Sequence, residues 1–241
     1  NARCLYRDDN DAALSLARVP SRAPMAACPE NPVGPGLLDP EQRSAIIGAT
    51  LPWRSTVSTL LLCVIDGLRP DALAAAATPA IRQLMACGHW TLAARTVMPS
   101  VTLPVHMSLF HSVEPGRHGI VTNLWTPQVR PVPGLFDVAH AAGLRTGAYY
   151  NWEELRDLWR PGALDVGVFW RDCKSLEGDR RVAAEAARSI APDAVDLAFL
   201  YLGYPDECAH RNGWMSAPYL EAVTNADGRT DVADGIAMLQ F

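Results

Sequence analysis

Thr102 has the richest chemical surroundings in this chain. It stands in Met98-Pro-Ser-Val-Thr-Leu-Pro-Val-His-Met-Ser-Leu109, which reads as the end of a buried strand, a tight polar turn and the start of a helix. Pro104 suits the first helical position, where its missing N–H costs nothing. A residue before proline is pushed toward extended backbone, so Leu103 ends the turn. Thr102 then sits just outside a helix N-terminus, where unpaired N–H groups and the macrodipole favour an anion. A hydroxyl so placed is a nucleophile toward a phosphate if something lowers its pKa. Without that help it is a helix cap.

Other groups fall at comparable places. Asp66 ends the apolar run Leu60-Leu-Leu-Cys-Val-Ile65, and Asp206 with His210 follows the run from Val195 to Leu202. In open α/β sheets, ligands bind beyond the carboxyl ends of strands. Asp206 and His210, spaced i and i+4, share a face if their segment is helical. A carboxylate and an imidazole together suit Zn²⁺. Taken singly, each residue has a plainer use. Asp66-Gly67 makes a turn, Asp206 caps a helix, Asn123 turns a loop, Tyr201 fills a core, and His106, His111 and His118 are structural.

The elements that must position these groups follow from periodicity. Continuous apolar runs at Leu60–Ile65 and Val195–Leu202 read as strands buried on both faces of a parallel sheet. Further strands are expected at Trp90–Val97, Arg145–Tyr150 and Val166–Trp170. Helices are expected at Pro70–Ala77, Pro79–Cys87, Pro104–His111, Gly134–Ala142, Asp179–Ile190 (opened by an acidic cap) and Tyr219–Ala226, with a helix-like pattern from Asp231 to Phe241. Strands alternating with helices indicate an α/β fold with a mainly parallel sheet. Residues 1–52 differ. They hold seven of the nineteen prolines and read as an irregular leader with one short helix near Pro40–Gly48, ahead of a domain over residues 53–241.

Composition narrows the partners. With 241 residues, 49% hydrophobic and 20% charged, the chain can bury a core, and its net charge of -5 argues against a nucleic-acid surface. No apolar run is long enough to span a membrane. Cys4, Cys28, Cys63, Cys87, Cys173 and Cys208 show no C-x-x-C spacing and no disulfide framework, which favours a reducing, cytoplasmic setting. The first residue is not methionine, so a secreted or periplasmic origin stays open.

Four motifs in order carry a resemblance: Val64-Ile-Asp-Gly-Leu-Arg-Pro-Asp71, Pro99-Ser-Val-Thr-Leu-Pro-Val-His106, His118-Gly-Ile-Val-Thr-Asn123 and Asp206-Glu-Cys-Ala-His210. Over about residues 58–225 the chain resembles the type I phosphodiesterase/nucleotide pyrophosphatase family of the alkaline phosphatase superfamily. The resemblance implies an alkaline-phosphatase-like sheet with helices on both faces and a two-zinc hydrolase of phosphodiester or pyrophosphate bonds. Asp66 and Thr102 would hold one zinc, and Asp206 and His210 the other. Thr102 would attack phosphorus to give a phospho-enzyme, while Asn123 would hydrogen-bond a non-bridging oxygen. Zinc would supply the missing pKa shift, since it lowers that of bound water from about 15.7 to about 7. Leu103 stands where the family often has a base-stacking aromatic, Val105 where Asn is common and Ala209 where Gly is usual. Tyr201 matches a position that can line the base pocket. These departures bear on the substrate, a small-molecule phosphate ester, more than on the reaction.

The family also uses an Asp-His pair and a further His downstream, and no histidine follows His210. The expectation is therefore a domain truncated at its C-terminus, with one or both zinc sites incomplete, weak zinc binding and poor turnover. Two rivals remain: phosphonate or phosphomonoester hydrolysis on the same framework, and a non-catalytic homologue serving as a binding module. A sulfatase is disfavoured because Thr102-Leu-Pro-Val-His lacks the Cys/Ser-x-Pro-x-Arg pattern. The oligomeric state is not legible.

Overall fold

Alternation along the strands divides this molecule into two layers. In strand β2 (Leu60–Ile65), Leu61, Cys63 and Ile65 join one apolar cluster and Leu62 and Val64 join the other. Successive side chains of a strand point to opposite faces, so a run that is apolar throughout must be covered on both sides. Strand β5 (Leu197–Leu202) is buried along its whole length and divides in the same way, with Ala198, Leu200 and Leu202 on one face and Leu197, Phe199 and Tyr201 on the other.

The computed structural model describes residues 3–5, 59–190, 194–230 and 236–240. Within them lies a six-stranded sheet that also contains β1 (Arg3–Leu5), β3 (Thr146–Tyr150), β4 (Val166–Phe169) and β6 (Ile236–Gln240), in the order β1-β4-β3-β5-β2-β6. All five pairings are parallel. One face is covered by α1 (Pro70–Ala75), α2 (Pro79–Cys87), α6 (Leu176–Ile190), α7 (Tyr204–Asn212) and α8 (Ala217–Thr230), which send Ala72, Ile81, Val182, Ala209 and Val223 into the first cluster. The other is covered by α3 (Thr102–His111) and α5 (Leu135–Ala141), through Leu103, Met107, Phe110 and Phe136, with a 3₁₀ turn at Glu153–Leu158. A short α4 (Pro115–His118) joins α3 to the loop that carries Asn123. Parallel strands with helices on both faces are the architecture that periodicity predicted.

Several local expectations are corrected. Residues 90–97 form no strand; Trp90 and Leu92 are 55% and 45% exposed, and the segment has no sheet neighbour to take its backbone groups. Ile236–Gln240 is a strand beside β2 and not part of a helix. A short apolar run reads either way by periodicity, and the unsatisfied edge of β2 decides it. Helix α6 begins at Leu176, so Asp179 lies inside it and does not cap it. Residues 3–5 form an edge strand within the proline-rich leader, and the helix expected at Pro40–Gly48 lies outside the described residues. Cys87 is disulfide-bonded, whereas Cys63, Cys173 and Cys208 are free; spacing alone does not reveal which cysteines the fold brings together. Among the described residues no helix is long and apolar enough to cross a membrane.

Helix α3 is held by aromatic contact with the sheet. Phe110 meets Phe199 edge-on, with ring centroids 4.9 Å apart, and Phe199 is fully buried. Phe199→Ala is predicted to lower stability by about 3–5 kcal/mol in urea unfolding. A loss under about 1 kcal/mol would mean that α3 is seated by other contacts.

Candidate active site at the carboxyl end of the sheet

Strand pairing decides where the acids meet. Ile65 of β2 lies opposite Leu202 of β5, and the Asp66 N–H donates to the Leu202 carbonyl at 3.0 Å. The two strands leave the sheet at the same level, so Asp66-Gly67 runs beside the Gly203–Asp206 segment. Gly67 has φ +69°, and a Cβ there would lie 2.7 Å from the Asp206 Cα. Glycine alone satisfies both the left-handed backbone and the close approach.

Asp66 is 9% exposed and fully engaged on one side. Its Oδ1 accepts the Gly67 N–H at 3.0 Å, and its Oδ2 accepts the Tyr201 hydroxyl at 2.5 Å and the Thr102 hydroxyl at 3.3 Å. Burial and the charge of Asp66 push the Tyr201 phenol well above its usual range, so Tyr201 is a neutral donor. His106 packs edge-on against Tyr201, with centroids 5.4 Å apart, and burial lowers its pKa against the opposing pull of Asp66. The imidazole is thus kept neutral, with Nδ1 2.8 Å from the Thr102 carbonyl.

Thr102 is the first residue of α3, with Val101 as the N-cap, so the helix starts two residues earlier than the proline implied. Pro104 sits at the third position, which proline tolerates because no first-turn N–H has an intrahelical partner. Here those amides are largely accounted for. The Leu103 N–H donates to Asn123 Oδ1 at 2.9 Å, Pro104 has none, and the Val105 N–H closes onto the Val101 carbonyl at 3.1 Å. Of the first-turn amides, that of Thr102 itself remains for an anion. With its oxygen committed to Leu103, Asn123 is left with its NH₂ end to donate, on an exposed loop.

Asp206 and His210 do share a helix face, in α7, with His210 Nε2 3.5 Å from Asp206 Oδ2. Burial, and then the nearby charge of Asp66, push the Asp206 carboxyl up to about 6. The structure therefore brings together Asp66, Thr102, Asn123 and the Asp206–His210 pair around one end of the sheet. Two residues read as substrate contacts do not reach the surface. Leu103 is 0% exposed beneath α3, and Tyr201 is 2% exposed with its hydroxyl spent on Asp66. Both point into the core, because Leu103 follows the helix's inner face and Tyr201 the inner face of β5. His111 and His118 are internal ties. His111 Nδ1 lies 3.0 Å from the Met107 carbonyl, while His118 Nδ1 accepts the Ile120 N–H, which leaves Nε2 to donate to Ser108 Oγ.

Two supporting residues carry no sequence signal for the roles they take here. Tyr219 of α8 donates its hydroxyl to the Gly67 carbonyl at 2.8 Å and accepts the Arg69 N–H at 3.2 Å, which pins the Asp66 turn from below. Asp179 supports the first turn of α7. Both act across more than twenty residues of sequence, beyond the reach of local pattern.

The donor set suits a divalent cation. Oxygen donors from Asp66, Asp206 and Thr102 and the imidazole of His210 lie at one sheet end, and the raised pKa of Asp206 marks negative charge in need of compensation. Among the described residues no group of three or more His, Cys, Asp or Glu closes around a single point, so these donors would supply only part of a metal's shell.

That charge clustering has a measurable consequence. The Asp206 carboxyl holds its proton more tightly folded, at about 6, than at its ordinary value of 3.8. Ionising it costs stability, which falls as pH rises from about 3.8 through about 6 and then levels off. In chelator-treated protein, Asp206→Asn should raise the urea midpoint at pH 8 and leave it nearly unchanged at pH 4. An equal shift at both pH values would show that packing, not charge, sets the effect.

Known proteins resemble this chain in sequence and in fold. The family model for type I phosphodiesterase / nucleotide pyrophosphatase matches residues 60–172. The human ectonucleotide pyrophosphatase/phosphodiesterase family member 1 is 26% identical over 208 residues, covering 75% of this chain. The chain spans 22% of that relative's length. Murine ectonucleotide pyrophosphatase/phosphodiesterase 5, solved as an inactive variant with AMP, superposes with a TM-score of 0.62 at 19% identity, over 76% of this chain and 55% of its own. Phosphonoacetate hydrolase from Sinorhizobium meliloti 1021, in complex with phosphonoformate, gives 0.56 at 18% identity, over 71% and 52%. Residues 60–172 thus match the type I phosphodiesterase / nucleotide pyrophosphatase family model, and the chain shares the α/β fold of these solved structures.

Proposed function

We propose that this chain carries the nucleophile and the first metal-binding residues of a zinc-dependent phosphoric-ester hydrolase acting on phosphodiester or pyrophosphate bonds. The observation that supports it most is the Thr102 hydroxyl at the first turn of α3, hydrogen-bonded to the Asp66 carboxylate. Thr102 Oγ1 forms a bond to phosphorus as the bond from phosphorus to the leaving oxygen breaks, and its proton passes toward Asp66 Oδ2. The leaving oxygen takes a proton from solvent. Water then joins phosphorus as the bond to Thr102 Oγ1 breaks; Oγ1 takes its proton back from Asp66, and one proton of the water returns to solvent. The Asn123 NH₂ and the Thr102 N–H donate to the non-bridging oxygens, where charge builds up. Asp66 and Thr102 would hold one zinc, and Asp206 and His210 another. Zinc held there would supply positive charge to the site and favour loss of the hydroxyl proton.

A second reading, phosphonate or phosphomonoester hydrolysis on the same framework, is favoured by one observation. Leu103 and Tyr201, the two positions read as base contacts, are both buried, which leaves nucleotide selectivity without those side chains.

The test is turnover of bis(p-nitrophenyl) phosphate, a nucleotide phosphodiester and phosphonoacetate with added zinc, together with zinc content after gel filtration. With a partial donor shell, zinc should bind weakly and turnover should depend on added metal. Thr102→Ala should lower the rate at least ~1,000-fold and weaken the zinc held with Asp66 while sparing the one held by Asp206 and His210, and mass spectrometry of quenched wild-type protein should place a phosphate on Thr102. Turnover retained in Thr102→Ala would exclude the nucleophile, and zinc with no effect on rate would exclude the metal.

A further inference from the structure

Helix α7 carries Asp206 and His210, yet it lacks a cap of its own. Its N-cap residue is Gly203, which has no side chain to accept the first free N–H groups. Nothing larger fits, because a Cβ at Gly203 would lie 2.9 Å from the Tyr201 ring, 3.0 Å from Cys173 Cβ and 3.1 Å from Asn151 Oδ1. The cap comes from elsewhere. Asp179 of α6, 1% exposed, accepts the Gly203 N–H at 3.0 Å and the Tyr204 N–H at 3.3 Å on a single oxygen, Oδ1. Asn151, just past the end of β3, donates its amide to the same oxygen at 2.7 Å and to the Asp172 carbonyl at 3.2 Å. Burial pushes Asp179 up to about 7 even though these three bonds pull it down. An acid group is kept in the interior, in contact with Tyr204, two residues ahead of Asp206.

We infer that Asp179 is a positioning residue: by capping α7 from the neighbouring helix, with Asn151 orienting it, it sets the place of Asp206 and His210 opposite Asp66 and Thr102. The inference rests on the reading of those four residues as the working groups of the site. The first turn of α7 is fixed at Gly203 and Tyr204 by Asp179, and at Asp206 by the close approach of Gly67. Remove the first restraint and the turn can rotate about the second, which moves the Asp206 carboxylate without unfolding the sheet.

A matched control exists in the same molecule. Asp227 of α8, 2% exposed, caps α2 in the same way, through the Ala80 N–H at 3.0 Å and the Ile81 N–H at 2.8 Å. The experiment compares Asp179→Ala, Asp179→Asn and Asp227→Ala in the full chain. Three quantities are read: amide exchange at Gly203 and Tyr204, zinc affinity by competition with a chromophoric chelator, and kcat and KM for bis(p-nitrophenyl) phosphate.

Asp179→Ala and Asp227→Ala should each lower Tm by several degrees. Asp179→Ala alone should speed exchange at Gly203 and Tyr204 at least tenfold, weaken zinc at least tenfold and lower kcat by about a hundredfold with KM within threefold. Asp179→Asn, whose amide oxygen still accepts both N–H groups, should recover zinc affinity and kcat to within tenfold of wild type. If Asp179→Ala exchanges at wild-type rates at those two amides, or if Asp227→Ala loses as much zinc affinity and kcat, the positioning role is overturned. If Asp179→Asn is as impaired as Asp179→Ala, the charge matters and not the cap, and the inference fails as well. Absence of turnover in the wild type would overturn the proposed hydrolase but not this inference, which would then be decided by the exchange and zinc measurements.

Discussion

The parallel pairing of β2 with β5 is the constraint on which the rest depends. It fixes Ile65 opposite Leu202, and the bond from the Asp66 N–H to the Leu202 carbonyl carries that register one residue past the strand end. A slip of one residue would send every side chain of β2 to the wrong face of the sheet, since the side-chain period is two. With both faces buried, such a slip is heavily penalised. The position of Asp66 beside the start of α7 is therefore not set by weak loop interactions. It follows from the core, and the core is well specified because both strands are apolar along their length.

From that register follows an electrostatic problem. Two carboxylates, Asp66 and Asp206, are delivered to one end of the sheet, and burial, then the charge of Asp66, raises the proton affinity of Asp206. The fold relieves Asp66 with neutral donors: the Tyr201 and Thr102 hydroxyls and the Gly67 N–H. Neutral donors stabilise a carboxylate without cancelling its charge. A nearby Lys or Arg would cancel it and would remove the reason for a cation to bind. Burial keeps His106 neutral, although an imidazolium there would pair with Asp66. The negative field is thereby preserved at the surface, where it can act on a cation or on the proton of Thr102.

The sheet and both of its helical layers were legible because long apolar runs and proline- or glycine-bounded periodic segments leave few alternatives. Asp66, Asp206 and His210 stand out by their place after such runs, and the i, i+4 contact between the last two follows from helix geometry. What local pattern missed has a common physical origin. The start of α3 was placed at Pro104 because proline favours the first position, yet the third serves equally well when its N–H is not needed. The segment 90–97 alternates like a strand but finds no edge to pair with. Ile236–Gln240 is a strand only because β2 offers it one. Leu103 and Tyr201 were read as substrate contacts on the strength of resemblance, and their burial depends on which face of α3 and β5 meets the other. Asp179 looked like the cap of its own helix; that it caps another is decided by Gly203, where a side chain has no room.

The two faces of the sheet contribute different parts of the site, and this division explains why its geometry is stiff. Thr102 comes from the α3 face, together with Tyr201 and His106, and Asp206 and His210 come from the α7 face, together with Asp179 and Tyr219. Asp66 stands at the boundary, at the end of a strand that belongs to both. Tyr201 reaches its carboxylate from one layer, while Tyr219, from the other, holds the carbonyl of the adjacent Gly67. Each layer is close-packed against the same strands, and close-packed interiors resist small displacements. With the first turn of α7 held by Asp179 and by the approach of Gly67, a shift of Thr102 relative to Asp206 is opposed by the interdigitated side chains of both layers. The placement of these groups is thus set by the packing of both layers on the same two strands, and a chemistry that needs a nucleophile beside charged groups can rely on it.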